Sequence, residues 1–160
     1  MLPSGRLHWL MIAQLDTLFH QCLPTDQWTI ICQATFELDE DRPEPDLVVV
    51  RGRASNFHHR NPSIDEVVIM IEVAETSLHY DRGEKLRLYA AAGIEKYWII
   101  NLVDSQIETY SEPMPATENS PANYRTRRII LKNEVAEIAF TETLKLSFQL
   151  ADLLPAPPAS

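Results

Sequence analysis

Leu7, Leu10, Met11, Leu15, Leu18, Phe19 and Cys22 recur at steps of three and four. That spacing predicts an amphipathic helix over Leu7–Cys22, ended by Leu23-Pro24. From Trp28 the period changes to two. Trp28, Ile30, Cys32, Ala34, Phe36 and Leu38 fall on one side, with Thr29, Gln33, Thr35 and Glu37 among those opposite. This is the pattern of a half-buried strand over Trp28–Leu38. Asp39–Pro45 reads as an acidic turn broken by proline, and Asp46–Val50 as a short β-branched strand with the aspartate at its start. Arg51–Asp65 reads as a loop. Glu66–Ala74 holds the longest apolar run, Val67–Ile71, and so reads as a central strand covered on both faces.

Asp81–Ala92 returns to helical spacing and stops at Gly93, a residue suited to the position just past a helix end. Lys96–Leu102 is a second buried strand. Strand, helix and strand in that order predict a parallel crossover. Gln106–Tyr110 alternates as a further strand, and Ser111–Asn123 is a loop rich in proline, serine and asparagine. Tyr124–Leu131 and Glu134–Phe140 read as a terminal antiparallel pair, Phe148–Leu154 as a short helical turn, and 155–160 as a flexible proline-rich tail. With no internal repeat and no second domain, the reading is one α/β domain over residues 1–154, a sandwich around a mixed sheet.

Within the Asp81–Ala92 helix, Leu86, Leu88, Tyr89 and Ala92 centre on a direction that also passes through Lys85 and Asp81, while Glu84 and Arg87 point away. A charge turned toward a core is costly unless it is paired or holds a ligand. Two more acids lie at strand ends: Asp46 after Pro45, and Glu72 inside Ile-Glu-Val-Ala. Two carboxylates and a lysine converging beside a sheet suit metal-dependent phosphodiester hydrolysis. Hard divalent cations take oxygen ligands, and a lysine can act as a point charge on the attacking water or the phosphorane. Asp46 and Glu72 are therefore the candidate metal ligands, with the Val73 carbonyl as a further oxygen, and Lys85 is the candidate catalytic cation. Each has a structural alternative. Asp46 can cap a turn, Glu72 can be a paired rim carboxylate, and Asp81 and Lys85 can form an i,i+4 ion pair with the lysine stem laid along the core.

Composition narrows the setting. The 160 residues are 45% apolar and 23% charged, enough for one core, and no apolar stretch approaches a membrane span. Cys22 and Cys32 read as core residues with no disulfide framework, so the chain reads as a reduced, cytoplasmic protein. His8, His20, His58, His59 and His79 show no zinc-ligand spacing, and four scattered glycines exclude a phosphate loop. Fourteen Lys and Arg against 23 Asp and Glu give a net charge of −9, which repels a polyanion at long range and requires any nucleic-acid contact to be local. Arg51, Arg53 and Arg60, in the one stretch where basic and imidazole groups concentrate, are the candidates for phosphate contact, with a solvated loop as the structural alternative.

Pro-Asp-Leu-Val-Val-Val (45–50), Ile-Glu-Val-Ala-Glu-Thr-Ser (71–77) and the run from Asp81 to Leu102, with its D-x-x-x-K-x-x-x-Y and Gly-Ile-Glu-Lys-Tyr-Trp, resemble a restriction-endonuclease-like family of unknown function. That family lies within the PD-(D/E)XK nuclease superfamily. The resemblance runs from about Gly5 to Leu154 and implies a restriction-endonuclease-like α/β/α sandwich. It places the superfamily's first aspartate on Asp46 and its second acid on Glu72. The superfamily lysine belongs two residues after that acid, where this chain has Ala74; the resemblance offers Lys85 on the following helix instead. It further implies Mg²⁺ or Mn²⁺ as cofactor, DNA as substrate and a homodimer that cuts both strands. Relatives usually carry a segment with a Tyr-Glu-Leu-(Ile/Val)-Asp-Gly-Glu-like stretch ahead of the helix that His8 leads here, and its lack leads to the expectation of truncation, help from a partner subunit, or inactivity. Two alternatives stay open: an inactive nuclease fold kept as a binding or regulatory module, and an RNA nuclease using the same metal chemistry.

Overall fold

In the computed structural model, which describes residues 5–157 and 159, six strands form one sheet in the order β1-β2-β3-β4-β5-β6. These are β1 Trp28–Cys32, β2 Leu47–Arg51, β3 Val67–Ala74, β4 Lys96–Asn101, β5 Gln106–Met114 and β6 Asn123–Leu131. Only β3 and β4 run parallel; every other neighbouring pair is antiparallel, so the sheet is mixed as expected. All eight residues of β3 are buried, which is why its sequence shows no alternation.

Helix α1, Arg6–Cys22, covers one face with Met11, Ile12, Leu15 and Phe19, packed against Leu47, Val49, Ile69 and Ile71. A two-stranded hairpin, β7 Val135–Ala139 and β8 Lys145–Gln149, joins the same layer, and the short α4, Leu150–Leu153, follows it. The other face is covered by a helical segment spanning 78–92: α2 Leu78–Tyr80, a π-helical turn Asp81–Lys85, and α3 Leu86–Ala92. Leu86, Tyr89 and Ala90 pack there on Val48, Val50, Met70, Tyr97 and Tyr110. The result is three layers, with the sheet in the middle. Gly93 ends the helix at φ 81, and the Ile94 N–H closes back on the Tyr89 carbonyl at 3.0 Å.

Three sequence expectations are corrected. The strand expected over Trp28–Leu38 stops at Cys32, because Gln33 turns left-handed at φ 48 and the chain folds over, with Phe36 N–H on the Pro43 carbonyl at 2.8 Å. Phe36 and Leu38 are still buried, in the layer under α3. Tyr124–Leu131 and Glu134–Phe140 do not pair: β6 pairs with β5 and β7 with β8, and β5 extends to Met114 through what reads as loop. Cys32 is exposed at the end of β1 rather than in the core. Of the expected tail, 155–157 and 159 have no regular structure, while residues 158 and 160, like residues 1–4, lie outside the described residues. No helix among the described residues is long and apolar enough to cross a membrane.

Candidate active site

One step beyond the Leu47–Ile71 pair of β2 and β3 stand Asp46 and Glu72. Both belong to the pleat that faces the helical segment, since Val48, Val50 and Met70 on the same parity lie in its layer. Asp46 Oδ2 accepts the backbone N–H of Val73 at 2.8 Å and stands 3.1 Å from His8 Nε2. Glu72 is 1% exposed; its Oε1 accepts Tyr89 OH at 2.7 Å and lies 2.9 Å from Lys85 Nζ. Lys85 Nζ is also 3.6 Å from Asp81 Oδ1. The structure thus brings Glu72 and Lys85 into contact, with Asp46 on the next strand.

The helix carries these groups because of how it is wound. A π turn inserts an extra residue where a regular helix would close, and such turns recur at functional sites. Here the turn spans Asp81–Lys85, and both ends of it face the sheet. Asp81 is 1% exposed, held by the Ser77 hydroxyl at 2.7 Å, and its Oδ1 is buried without a hydrogen-bond partner. Its backbone carbonyl accepts Tyr97 OH at 2.9 Å.

The electrostatics follow from burial. Desolvation pushes the Glu72 carboxyl up to about 8, against the pull of Lys85 and the Tyr89 hydrogen bond and with help from the negative Asp46. Asp81 is raised for the same first reason and by the same neighbour. Burial pulls the Lys85 ammonium down, but Glu72, Asp81 and Asp46 together outweigh it and hold the group above its ordinary value. Three carboxyl groups share one cation, so the pocket is short of positive charge. Asp46 Oδ1 and Glu72 Oε2 accept no hydrogen bond from the described residues, and the orphaned Asp81 Oδ1 adds a third oxygen with unmet demand. No group of three His, Cys, Asp or Glu side chains among the described residues is arranged to hold a metal alone.

Residues 1–151 match the Uma2 family, whose description is "Putative restriction endonuclease". The chain belongs to the Uma2 family. No curated protein matches it significantly. Among solved structures, a chain described as "a putative nuclease belonging to DUF820" from Anabaena variabilis ATCC 29413 is similar at a TM-score of 0.61 and 14% identity, over 96% of this chain and 82% of that one. At that identity the likeness is one of fold, and it bears out the restriction-endonuclease-like architecture implied by the sequence resemblance.

In this Uma2 chain a second charged cluster, which sequence reasoning missed, lies on the same face. Glu108 on β5 has no solvent exposure. Arg82 Nε and Nη2 reach its two oxygens at 2.9 and 2.7 Å, Arg127 Nη2 donates at 3.0 Å, Asn101 Nδ2 at 2.9 Å and Tyr110 OH at 3.1 Å. Against its own burial, these partners hold the carboxyl down at about 2. The register explains the position: Glu72 stands opposite Ile99 on β4, and Ile99 opposite Glu108 on β5. The two buried acids therefore share a cross-sheet row, about 10 Å apart over two inter-strand spacings. The helical segment bridges them, with Lys85 on one and Arg82 on the other. The available signal was Glu108 sharing the parity of Tyr110 in a strand covered on both faces.

The arginines expected to touch phosphate lie elsewhere in the Uma2 fold. Arg51 is at the far end of β2 from Asp46, about 17 Å along the strand, and donates to the Asp65 carbonyl at 3.0 Å. Arg60 is paired with Glu66 at 2.7 Å, and Arg53 precedes the short helical turn Ala54–Phe57. His8, which has no zinc-ligand spacing in the sequence, partners Asp46.

Proposed function

We propose that this Uma2 chain is a Mg²⁺-dependent endonuclease that hydrolyses phosphodiester bonds of DNA, with Asp46 and Glu72 as metal ligands and Lys85 as the catalytic cation. The observation that supports it most is the 2.9 Å contact between Lys85 Nζ and Glu72 Oε1 beside Asp46. A lysine serving only as a helix-surface ion pair would favour Asp81, one turn away, yet that distance is 3.6 Å. In this reading Lys85, approaching Glu72 from the helix, stands in for the lysine that the resemblance expects at position 74, where this chain has Ala74.

The donor set suits a hard cation: two carboxylates from adjacent strands leave most of the coordination sphere to water, carbonyl and substrate phosphate, as Mg²⁺ prefers. Bound there by Asp46, Glu72 and the Val73 carbonyl, the ion would supply charge neutralisation at the scissile phosphate and acidify a water. The chain's own groups do the rest. The Val73 N–H and His8 fix one oxygen of Asp46, and the other has no partner among the described residues. Tyr89 OH orients Glu72 in the same way. Lys85 presents a fully charged ammonium to the water or to the transferring phosphoryl oxygens, where a fixed cation in a partly dry site is worth most. Cutting both strands of a duplex requires two such sites, which a two-fold pair of chains would supply. Arg51, Arg53 and Arg60 are left with contacts to flanking backbone.

A second reading, an inactive nuclease fold acting as a binding or regulatory module, is favoured by Ala74 and the net charge of −9. Supercoiled plasmid separates the two. The enzyme nicks it in Mg²⁺ or Mn²⁺ and stops when EDTA is added; a module leaves it intact in every buffer while still binding the ion or the DNA.

A further inference from the structure

Arg82, Arg87 and Arg127 line a cleft of about 430 Å³ between the helical segment 78–92 and the β5–β6 pair, together with Tyr110 and Asn123. Two of the three guanidiniums are held from beneath by Glu108, through the bonds already described. Each has donors to spare. Arg82 Nη1, Arg127 Nη1 and the whole Arg87 guanidinium make no hydrogen bond to the described residues. Three guanidiniums against Glu108 and the outer Asp104, 3.8 Å from Arg82, leave the cleft net positive on a chain of −9.

A buried ion pair is a weak way to stabilise a sheet, because apolar side chains of the same volume often do as well or better. What Glu108 achieves is placement. It fixes two planar guanidiniums in the wall of a cleft before a ligand arrives, which removes part of the ordering cost of binding. Fixed forks of N–H donors match the oxygens of a phosphate. The cleft is also placed to serve the carboxylate site. Glu108 shares the cross-sheet row of Glu72, and Arg82 sits between Asp81 and Lys85 on the helix that spans both.

We propose that the Arg82–Arg87–Arg127 cleft holds a backbone phosphate of the DNA strand cut at Asp46, Glu72 and Lys85, so that the substrate is a polynucleotide strand and not a mononucleotide or an isolated phosphodiester. This rests on the nuclease reading above. The cleft supplies a contact on the strand away from the bond that breaks, and it resolves the conflict with the acidic net charge by concentrating positive charge locally.

The test is binding of a fluorescein-labelled oligothymidylate, followed by anisotropy in EDTA over a series of KCl concentrations, beside Mn²⁺ calorimetry on the same proteins. Arg87→Ala, whose side chain has no hydrogen-bond or ion-pair partner among the described residues, weakens binding several-fold and lowers the slope of log K against log salt by about 0.7. Arg127→Ala does at least as much, with thermal melts confirming that it is folded. Lys145→Ala removes a charge that pairs with Glu137 on the β7–β8 hairpin and changes neither quantity. Arg87→Ala keeps wild-type Mn²⁺ uptake. Arginine variants that titrate like the wild type overturn the proposal. So does a wild type that takes up Mn²⁺ and binds no oligonucleotide, an outcome that leaves the nuclease reading standing. Binding through Arg87 without Mn²⁺ uptake keeps the cleft as a DNA contact and removes the reading beneath it.

Discussion

If the chain is the proposed nuclease, Lys85→Met is expected to lower the cleavage rate by about 10²–10³ at saturating Mg²⁺ while the protein stays folded and its affinity for DNA changes little. The methionine keeps an apolar stem at this mostly buried position and deletes only the ammonium. The effect is expected on rate because in the proposed mechanism the charge acts where negative charge develops, whereas other groups would hold the strand. Metal affinity moves by less than about tenfold, because two consequences oppose each other. Glu72 loses the cation that pulls its carboxyl down from the level burial imposes, so more of it is protonated at neutral pH. The incoming ion loses a neighbour that repels it. Plasmid nicking under single-turnover conditions measures the rate; a variant that cuts at the wild-type rate would make Lys85 a structural ion pair.

Glu108→Gln lowers the unfolding free energy by about 3 kcal/mol at pH 7, the lower end for breaking a buried pair, because the arginine heads left behind reach solvent. Its acid dependence has a definite sign. The Glu108 carboxyl is held at about 2 in the fold against an ordinary 4.5, so below pH 4.5 the unfolded chain binds more protons than the native one. The stabilisation is complete above about pH 4.5 and is lost as pH falls toward 2. Glu72 runs the other way. Raised to about 8, it leaves the native state holding the extra proton between 4.5 and 8, so stability declines as pH rises through that window. The metal-free protein is therefore most stable near pH 5, and a bound cation, which needs the ionised carboxylate, restores the alkaline side. Urea unfolding from pH 3 to pH 9 checks both limbs: Glu108→Gln flattens the acidic one and Glu72→Gln the alkaline one. A wild-type profile that shows neither slope contradicts the assignment.

The parts of the fold that the sequence made legible are those where burial and element type coincide. Val67–Ala74 is covered on both faces, and its continuous apolar run stated as much. Lys85 was legible because a charge on an apolar helical face has to be explained, and Glu72 because it interrupts a buried strand. What failed was pairing. Phe36 and Leu38 alternate because both are buried, not because they lie in a strand; the left-handed turn at Gln33 carries no strong local signal for a glutamine. Adjacency suggested that Glu134–Phe140 would fold back on Tyr124–Leu131, but β7 instead finds β8 across a short turn and packs on the α1 layer. The Arg82–Glu108–Arg127 cluster joins residues 26 and 19 positions from the glutamate, and only the register of the sheet brings them together. The same is true of His8 and Asp46, 38 positions apart.

Mn²⁺ calorimetry on the wild type, Asp46→Asn and Glu72→Gln tests the carboxylate site most directly, because it needs no knowledge of the substrate. The wild type is expected to bind saturably, and both variants, folded by circular dichroism, to lose that binding. A folded wild type that takes up no Mn²⁺, or variants that bind it as the wild type does, would contradict the account and leave Asp46, Glu72 and Lys85 as a buried ion-pair network.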